Sequence, residues 1–306
     1  MKKKNSSILV ITLLLVLTVV NLGYANTSRT VTDGQDRKIS LSGNPERVVT
    51  TIVSTTEIAL DLGLDERLVG VPDLTKYLSY VPELQKKAKK KEKVGGFKLS
   101  MEKIAALNPD LVIVGASAQK DAVSKLEDMG TTVYAAGSKS IDEVRETILE
   151  IGYLTGTEDR AQEIVGNMAY REVQLKEAVS DLEEKKETFY TISKRMYTVG
   201  GNTFVGQALE LAGLKNVFSE LSGYKPVSAE EIIERNPELI IATEDMGLSV
   251  ENLKKESGLE NVKAVKTGNV LLLSPGEDSM INQPGTKIID GAINLFEKVY
   301  DREVNL

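Results

Sequence analysis

Ser100-Met101-Glu102-Lys103-Ile104, followed by Asn108-Pro109-Asp110-Leu111-Val112-Ile113, returns 128 residues later as Ser228-Ala229-Glu230-Glu231-Ile232, followed by Asn236-Pro237-Glu238-Leu239-Ile240-Ile241. A serine before a short apolar stretch, an Asn-Pro-acid turn and an aliphatic run read as a capped helix, a turn and a buried strand. Two copies imply two lobes of one kind. Just upstream, Gly96-Phe97-Lys98 and Gly223-Tyr224-Lys225 set a glycine, an aromatic ring and a lysine at nearly the same place before each copy. Facing lobes would then present matching chemistry across a cleft.

Outward from the first copy, Val48 to Val53 is β-branched throughout and reads as a buried parallel strand. Thr55 and Thr56 then introduce a helix over Glu57 to Gly63, closed by its glycine. Leu68 to Val71, Leu111 to Val114 and Thr132 to Ala135 are the next strands. Strands alternating with helices make this half α/β. Between Ser140 and Lys186 there is no proline and no strand-like run, and Glu158 to Glu187 reads as one helix. At roughly 30 residues it would be about 45 Å long and would limit hinging between the lobes. Strand signals resume with Phe189 to Ile192 and Met196 to Gly201, then a glycine-ended helix over Phe204 to Gly213 and strands at Leu239 to Ala242 and Val270 to Leu273. An amphipathic helix over Asp290 to Tyr300 closes the chain.

The first residues have a different character. Lys2-Lys3-Lys4, an apolar run from Ile8 to Val20 and Gly23-Tyr24-Ala25 form a secretory signal with cleavage expected after Ala25. The alternative is an uncleaved anchor, but the run is short of the roughly 20 residues that span a bilayer. The expected divisions are a signal peptide at 1–25, an N-terminal α/β lobe at 26–155, a connecting helix at 156–188 and a C-terminal α/β lobe at 189–306. No cysteine is present, so neither a disulfide framework nor a lipid-modified cysteine is available, which favours a periplasm. Loss of the three leader lysines would take the net charge from −7 to −10, a balance that repels nucleic acid and anionic lipid.

The absences narrow the chemistry. With no histidine and no cysteine, an imidazole- or thiolate-based site for bare transition-metal ions cannot be built. Ser-His-Asp and Cys-His arrangements are missing for the same reason. Gly200-Gly201-Asn202 is only a turn signal, and no spacing of carboxylates singles out a catalytic pair. No enzyme is expected. The basic run Lys86 to Lys93, in so acidic a chain, reads as a solvated helix face or loop.

From Arg47 to the end, with both Ser-x-Glu-x-Ile segments in place, the chain resembles the substrate-binding proteins of bacterial ABC importers for iron complexes, haem and cobalamin. Gly223-Tyr224-Lys225-Pro226-Val227-Ser228-Ala229-Glu230 looks most like the haemin-binding branch. The resemblance implies a class III fold of the helical-backbone type, two Rossmann-like α/β lobes joined by one long α-helix. It implies a monomer that takes a small molecule from outside the cytoplasm to a permease dimer with its ATPase subunits, with no cofactor beyond the transported ligand. Haem is the first expectation; a ferric siderophore or cobalamin is the alternative, and a tetrapyrrole-modifying enzyme a remote one. Glu102 and Glu230 match the family's glutamates that meet arginines on the two permease subunits, a bidentate pairing that would also fix orientation.

For haem, the iron would need a Tyr or Met donor. Members of that branch often carry a tyrosine where this sequence has Phe97, which leaves Tyr77, Tyr80 or Tyr224 as axial candidates, with sulfur from Met196, Met246 or Met280 less expected. Lys98, Lys225, Lys194 and Arg195 are candidate partners for acidic groups of the ligand.

Overall fold

The computed structural model describes residues 28–96, 98–246, 250–255 and 258–306, so the leader at 1–25 and Phe97 lie outside the described residues. Each aliphatic run becomes an inner strand of a parallel sheet. Leu111–Gly115 pairs with Val48–Thr50 and Thr132–Ala136, and Leu68–Val71 and Glu92–Lys93 complete five strands. Leu239–Thr243 pairs with Glu187–Tyr190 and Val270–Leu273, with Lys215–Asn216 as the fourth strand. Parallel strands need helical crossovers that cover both faces. Both of these inner strands are accordingly buried at every position.

The repeat holds in the backbone. Asn108 and Asn236 both adopt the left-handed region, at φ 44 and 45, which asparagine tolerates better than other side-chain-bearing residues. Gly95 and Gly223, again 128 apart, take φ 106 and 71. Ser100 and Ser228 cap the two helices by accepting from the N–H of Lys103 and Glu231.

Two segments differ from their sequence reading. The first strand stops at Thr50, and a helix begins at Val53 instead of near Glu57. Its β-branched residues tolerate the helix because Thr55 and Thr56 return their hydroxyls to the Ile52 carbonyl, at 3.1 and 2.9 Å. The long helix is Glu158–Ser180, 23 residues, which at 1.5 Å each is about 35 Å. Asp181, Glu183 and Glu184 follow at the negative end of its dipole, where acidic residues oppose continuation, and Glu187 opens a strand instead.

Ala161, Ile164, Met168 and Leu175 form the buried stripe of that helix. They belong to one apolar cluster that also holds Ile113 and Tyr134 of the first lobe and Ile241 and Phe296 of the second. Each large side chain so buried contributes about 1.5–3 kcal/mol. Separate clusters back the outer faces, around Val112 and Val133 in one lobe and Phe189 and Phe218 in the other.

A tight turn after the strand Tyr197–Val199 brings Gly200 against the following loop, where an added Cβ would lie 1.9 Å from the Leu221 carbonyl oxygen. Gly200→Ala should therefore lower stability in urea unfolding by about 2–3 kcal/mol. Gly166→Ala is the control, since nothing lies within 4 Å of a Cβ there. It should raise stability by up to about 1 kcal/mol, because alanine is the better helix former.

Candidate functional site

In open parallel sheets, ligands bind beyond the carboxyl ends of the strands. The two sheets here turn those ends toward a common groove of about 440 Å³. Ile52, Gly115 and Ser138 reach it from just past, or at the end of, three strands of the first lobe, and Ile192 from just past a strand of the second. Ser54, Ser117, Phe204, Tyr224, Asp278, Asn282 and Gln283 complete most of the wall. A larger hollow of about 650 Å³ lies among helices, where Glu172 pairs with both Arg145 and Lys176. It touches no strand end, so the smaller groove is the better candidate.

The groove wall is mostly hydroxyl, amide and apolar, with one acid, Asp278, and no lysine or arginine among the described residues. Asn282 donates its amide hydrogens to Tyr190 Oη at 2.7 Å and Asp278 Oδ1 at 2.9 Å. What it can offer a ligand is thus its carbonyl acceptor. Ser117 and Ser138 make no side-chain hydrogen bond among the described residues, leaving their hydroxyls able to donate or accept.

The tyrosines separate in position. Tyr224 lies on a two-stranded antiparallel ribbon, Tyr224–Pro226 against Tyr197–Val199, and lines the groove. Tyr224 is 42% exposed, and the part of it that is covered pushes the phenol up to about 12. Tyr80 donates its hydroxyl to Glu57, and burial first, then that neighbour, hold the phenol well above its ordinary range. Tyr77 packs on the core with the Lys76 ammonium 4.8 Å from its ring centre. Neither Tyr77 nor Tyr80 lines the groove.

Lys225 is exposed on the ribbon, and Lys194 and Arg195 are exposed on the turn before it. Lys98 joins Lys120 and Lys125 along an open hollow of about 600 Å³ that shares Ser117 and Ala118 with the groove. Met196 packs on the second-lobe core, Met246 is buried, and Met280 lies in the helix Pro275–Asn282. None of the three lines the groove. The lysine run falls on the helix Pro82–Lys89 and the residues after it, where Lys87 and Lys91 pair with Asp65 at 3.7 and 3.1 Å.

Glu102 and Glu230 are exposed in the first turns of the two capped helices, with no hydrogen bond or ion pair among the described residues. In the second helix it is Glu231 whose carboxylate reaches back to the Ser228 N–H, at 2.7 Å. Glu230 is thereby left out of the cap, as the Ser-x-Glu spacing implies. Sequence reasoning missed Ser54, Ser117, Ser138, Asn282 and Gln283. The usable signal was their position, each within a few residues of a strand end or on the helix that follows.

Residues 48–276 match the periplasmic binding protein family. YvrC of Bacillus subtilis, an uncharacterized ABC transporter substrate-binding lipoprotein, is 30% identical over 279 residues, 89% of this chain and 85% of its own length. A cobalamin-binding protein of Halobacterium salinarum is 30% identical over 273 residues, 84% of this chain and 70% of its own. The crystal structure of a possible iron-binding (periplasmic solute-binding) protein from Staphylococcus epidermidis superposes with a TM-score of 0.72 at 30% identity, covering 84% of this chain and all of the other.

The raised phenol at the groove gives a direct check of its surroundings. The alkaline phenolate difference spectrum between the unaltered chain and Tyr224→Phe should have its midpoint about 12, against about 10 for a free tyrosine. A midpoint at the free value would mean the ring is not packed in the groove.

Proposed function

This chain belongs to the periplasmic binding protein family, and on that premise we propose that it is the substrate-binding component of an ABC importer that captures a corrinoid of the cobalamin class between its lobes. The observation that carries the ligand is the groove wall of serine hydroxyls, Asn282 and Gln283 amides and the Phe204 and Tyr224 rings, with one acid, Asp278, and no cation among the described residues. A corrinoid presents neutral amides around a largely apolar face. Amides pair with hydroxyl and carboxamide side chains without need of a counter-charge. The cobalamin-binding relative of Halobacterium salinarum supports the same choice.

Haem, first in the sequence reading, ranks second. What favours it is Tyr224, a phenol on the groove, with Lys98 in the adjoining hollow for acidic groups. Against it, burial with no cation beside it on the groove raises the Tyr224 phenol, which disfavours the phenolate that iron prefers. A ferric siderophore with anionic arms would meet no cation in the groove itself. Because the relatives named above are binding proteins, the role proposed is capture and delivery without chemical change. The leader at 1–25 would export the chain, and Glu102 and Glu230 would dock it, one per lobe, on the two permease subunits.

Titrating the purified protein with cyanocobalamin should give a Kd of about 1 µM or tighter, while haemin should show no shift of its Soret band. A shifted Soret band with no corrinoid bound would reverse the order. For docking, Glu102→Lys combined with Glu230→Lys should abolish uptake in cells and leave the affinity for the ligand within about twofold, since exposed, distant sites act independently. Loss of affinity as large as the loss of uptake would remove the docking role.

A further inference from the structure

Glu57 is wholly buried on the helix Val53–Asp61 of the first lobe, yet its partners come from both lobes. Tyr80, also of the first lobe, donates its hydroxyl to Oε2. From the second lobe, the Thr286 hydroxyl lies 2.7 Å from Oε1 and the Lys287 N–H 3.1 Å from the same oxygen. Thr286 also contacts Oδ2 of Asp61, one helical turn on from Glu57. A Cβ on Gly285 would stand 2.7 Å from the Glu57 carboxyl, so the two lobes meet here with no room to spare.

A threonine hydroxyl has one hydrogen. It cannot donate to two carboxylates, and two lone pairs facing each other repel, so a second proton must sit on Glu57 or Asp61. One arrangement satisfies every contact and keeps charge out of the core: Glu57 protonated and donating to Thr286, and Thr286 donating to an ionised Asp61. Burial acts in the same direction, raising Glu57 above the usual carboxyl range, with Asp61 adding to the rise and Tyr80, Thr286 and Lys287 opposing it. The Asp61 end is only half-buried, so a charge costs less there than at the wholly buried Glu57; it borders a small hollow of about 90 Å³ in which Arg160 pairs with Glu163, and Arg171 and Lys287 pair with Asp290.

We propose that Glu57, Thr286 and Asp61 form a proton-sharing latch between the lobes that sets the spacing of the groove walls. Both halves of the latch continue directly into the wall. Ser54 lies one turn before Glu57 on the same helix, and Gln283 and Pro284 precede Gly285 and Thr286. Glu57 is a positioning residue: it touches no ligand and acts through the backbone on either side of it. The sign of its pH dependence follows from the raised Glu57. Below its folded value the shared proton is present and the latch is closed. As pH rises through that value the proton leaves, and two carboxylates face each other across Thr286. Tyr80 and Lys287, and on the outer side Arg160, Arg171 and Asp290, are the other charged or titratable groups around it.

The chain has no cysteine, so Lys125→Cys and Glu234→Cys, at exposed positions one in each lobe, allow a single pair of spin labels. Without any ligand, Glu57→Leu should lengthen or broaden the interlobe distance by about 2 Å, the scale of helix shifts at bistable interfaces. Glu57→Gln, which imitates the protonated carboxyl, should keep the distance and lose its dependence on pH. Thr286→Val leaves the buried carboxyl on its own lobe and should move the distance as Glu57→Leu does, which keeps the test decisive if the leucine variant does not fold. A second arm rests on the corrinoid reading: cyanocobalamin affinity should fall about tenfold in Thr286→Val, because a smaller fraction of the protein has the competent spacing, and return in Glu57→Gln. Distances unchanged in both Thr286→Val and Glu57→Leu would overturn the latch. Distances that respond as stated in a protein that binds no cyanocobalamin would uphold the latch and remove only the ligand assignment.

Discussion

Everything in this molecule depends on one apolar seam. The stripe of Ala161, Ile164, Met168 and Leu175 on the long helix shares a core with both sheets and with the closing helix Ile288–Tyr300. A parallel strand delivers its loop only at its carboxyl end, so the position of each sheet around that seam decides where its loops go. With both sheets held against one rod, strand ends from either lobe open onto the same groove. A loop linker would leave that relation free to vary; a helix of 23 residues does not.

Much of this was legible in the sequence, because long aliphatic runs and the spacing of Ser, Asn and Pro are signals that tertiary context rarely overrides. Leu111–Gly115 and Leu239–Thr243 are strands where the runs place them, and Asn108 and Asn236 turn the chain identically. The β-branched run from Val48 misled at its far end, since threonine hydroxyls returned to Ile52 let a helix begin among residues that favour strands. The long helix was overextended because nothing in an Asp-Leu-Glu-Glu run forbids a helix by propensity alone; the unfavourable dipole at its end is a weaker, positional effect.

The groove was less legible. Serine, asparagine and glutamine are common surface residues, and only the meeting of distant segments, such as Ser138 with Asn282, makes a wall of them. Tyr80 shows the opposite hazard. On a loop after a strand it has the position expected of a ligand-facing ring, but Glu57, a helical residue with no distinguishing mark in the sequence, claims its hydroxyl. Charge follows a similar division. The lysines that sequence analysis gathers into a run divide between solvent and pairing with Asp65 on a short helix and the residues after it, while the carboxyl that matters to the joint between lobes is buried out of sight.

The continuous seam has a mechanical consequence. Two bodies that share a hydrophobic core are limited in how far they can part, unlike a pair on a slack tether, which leaves only the finer spacing to polar contacts such as that of Glu57 with Thr286. In the delivery role proposed above, a push at either outer end would then reach the groove along the rod and not be lost in a slack joint.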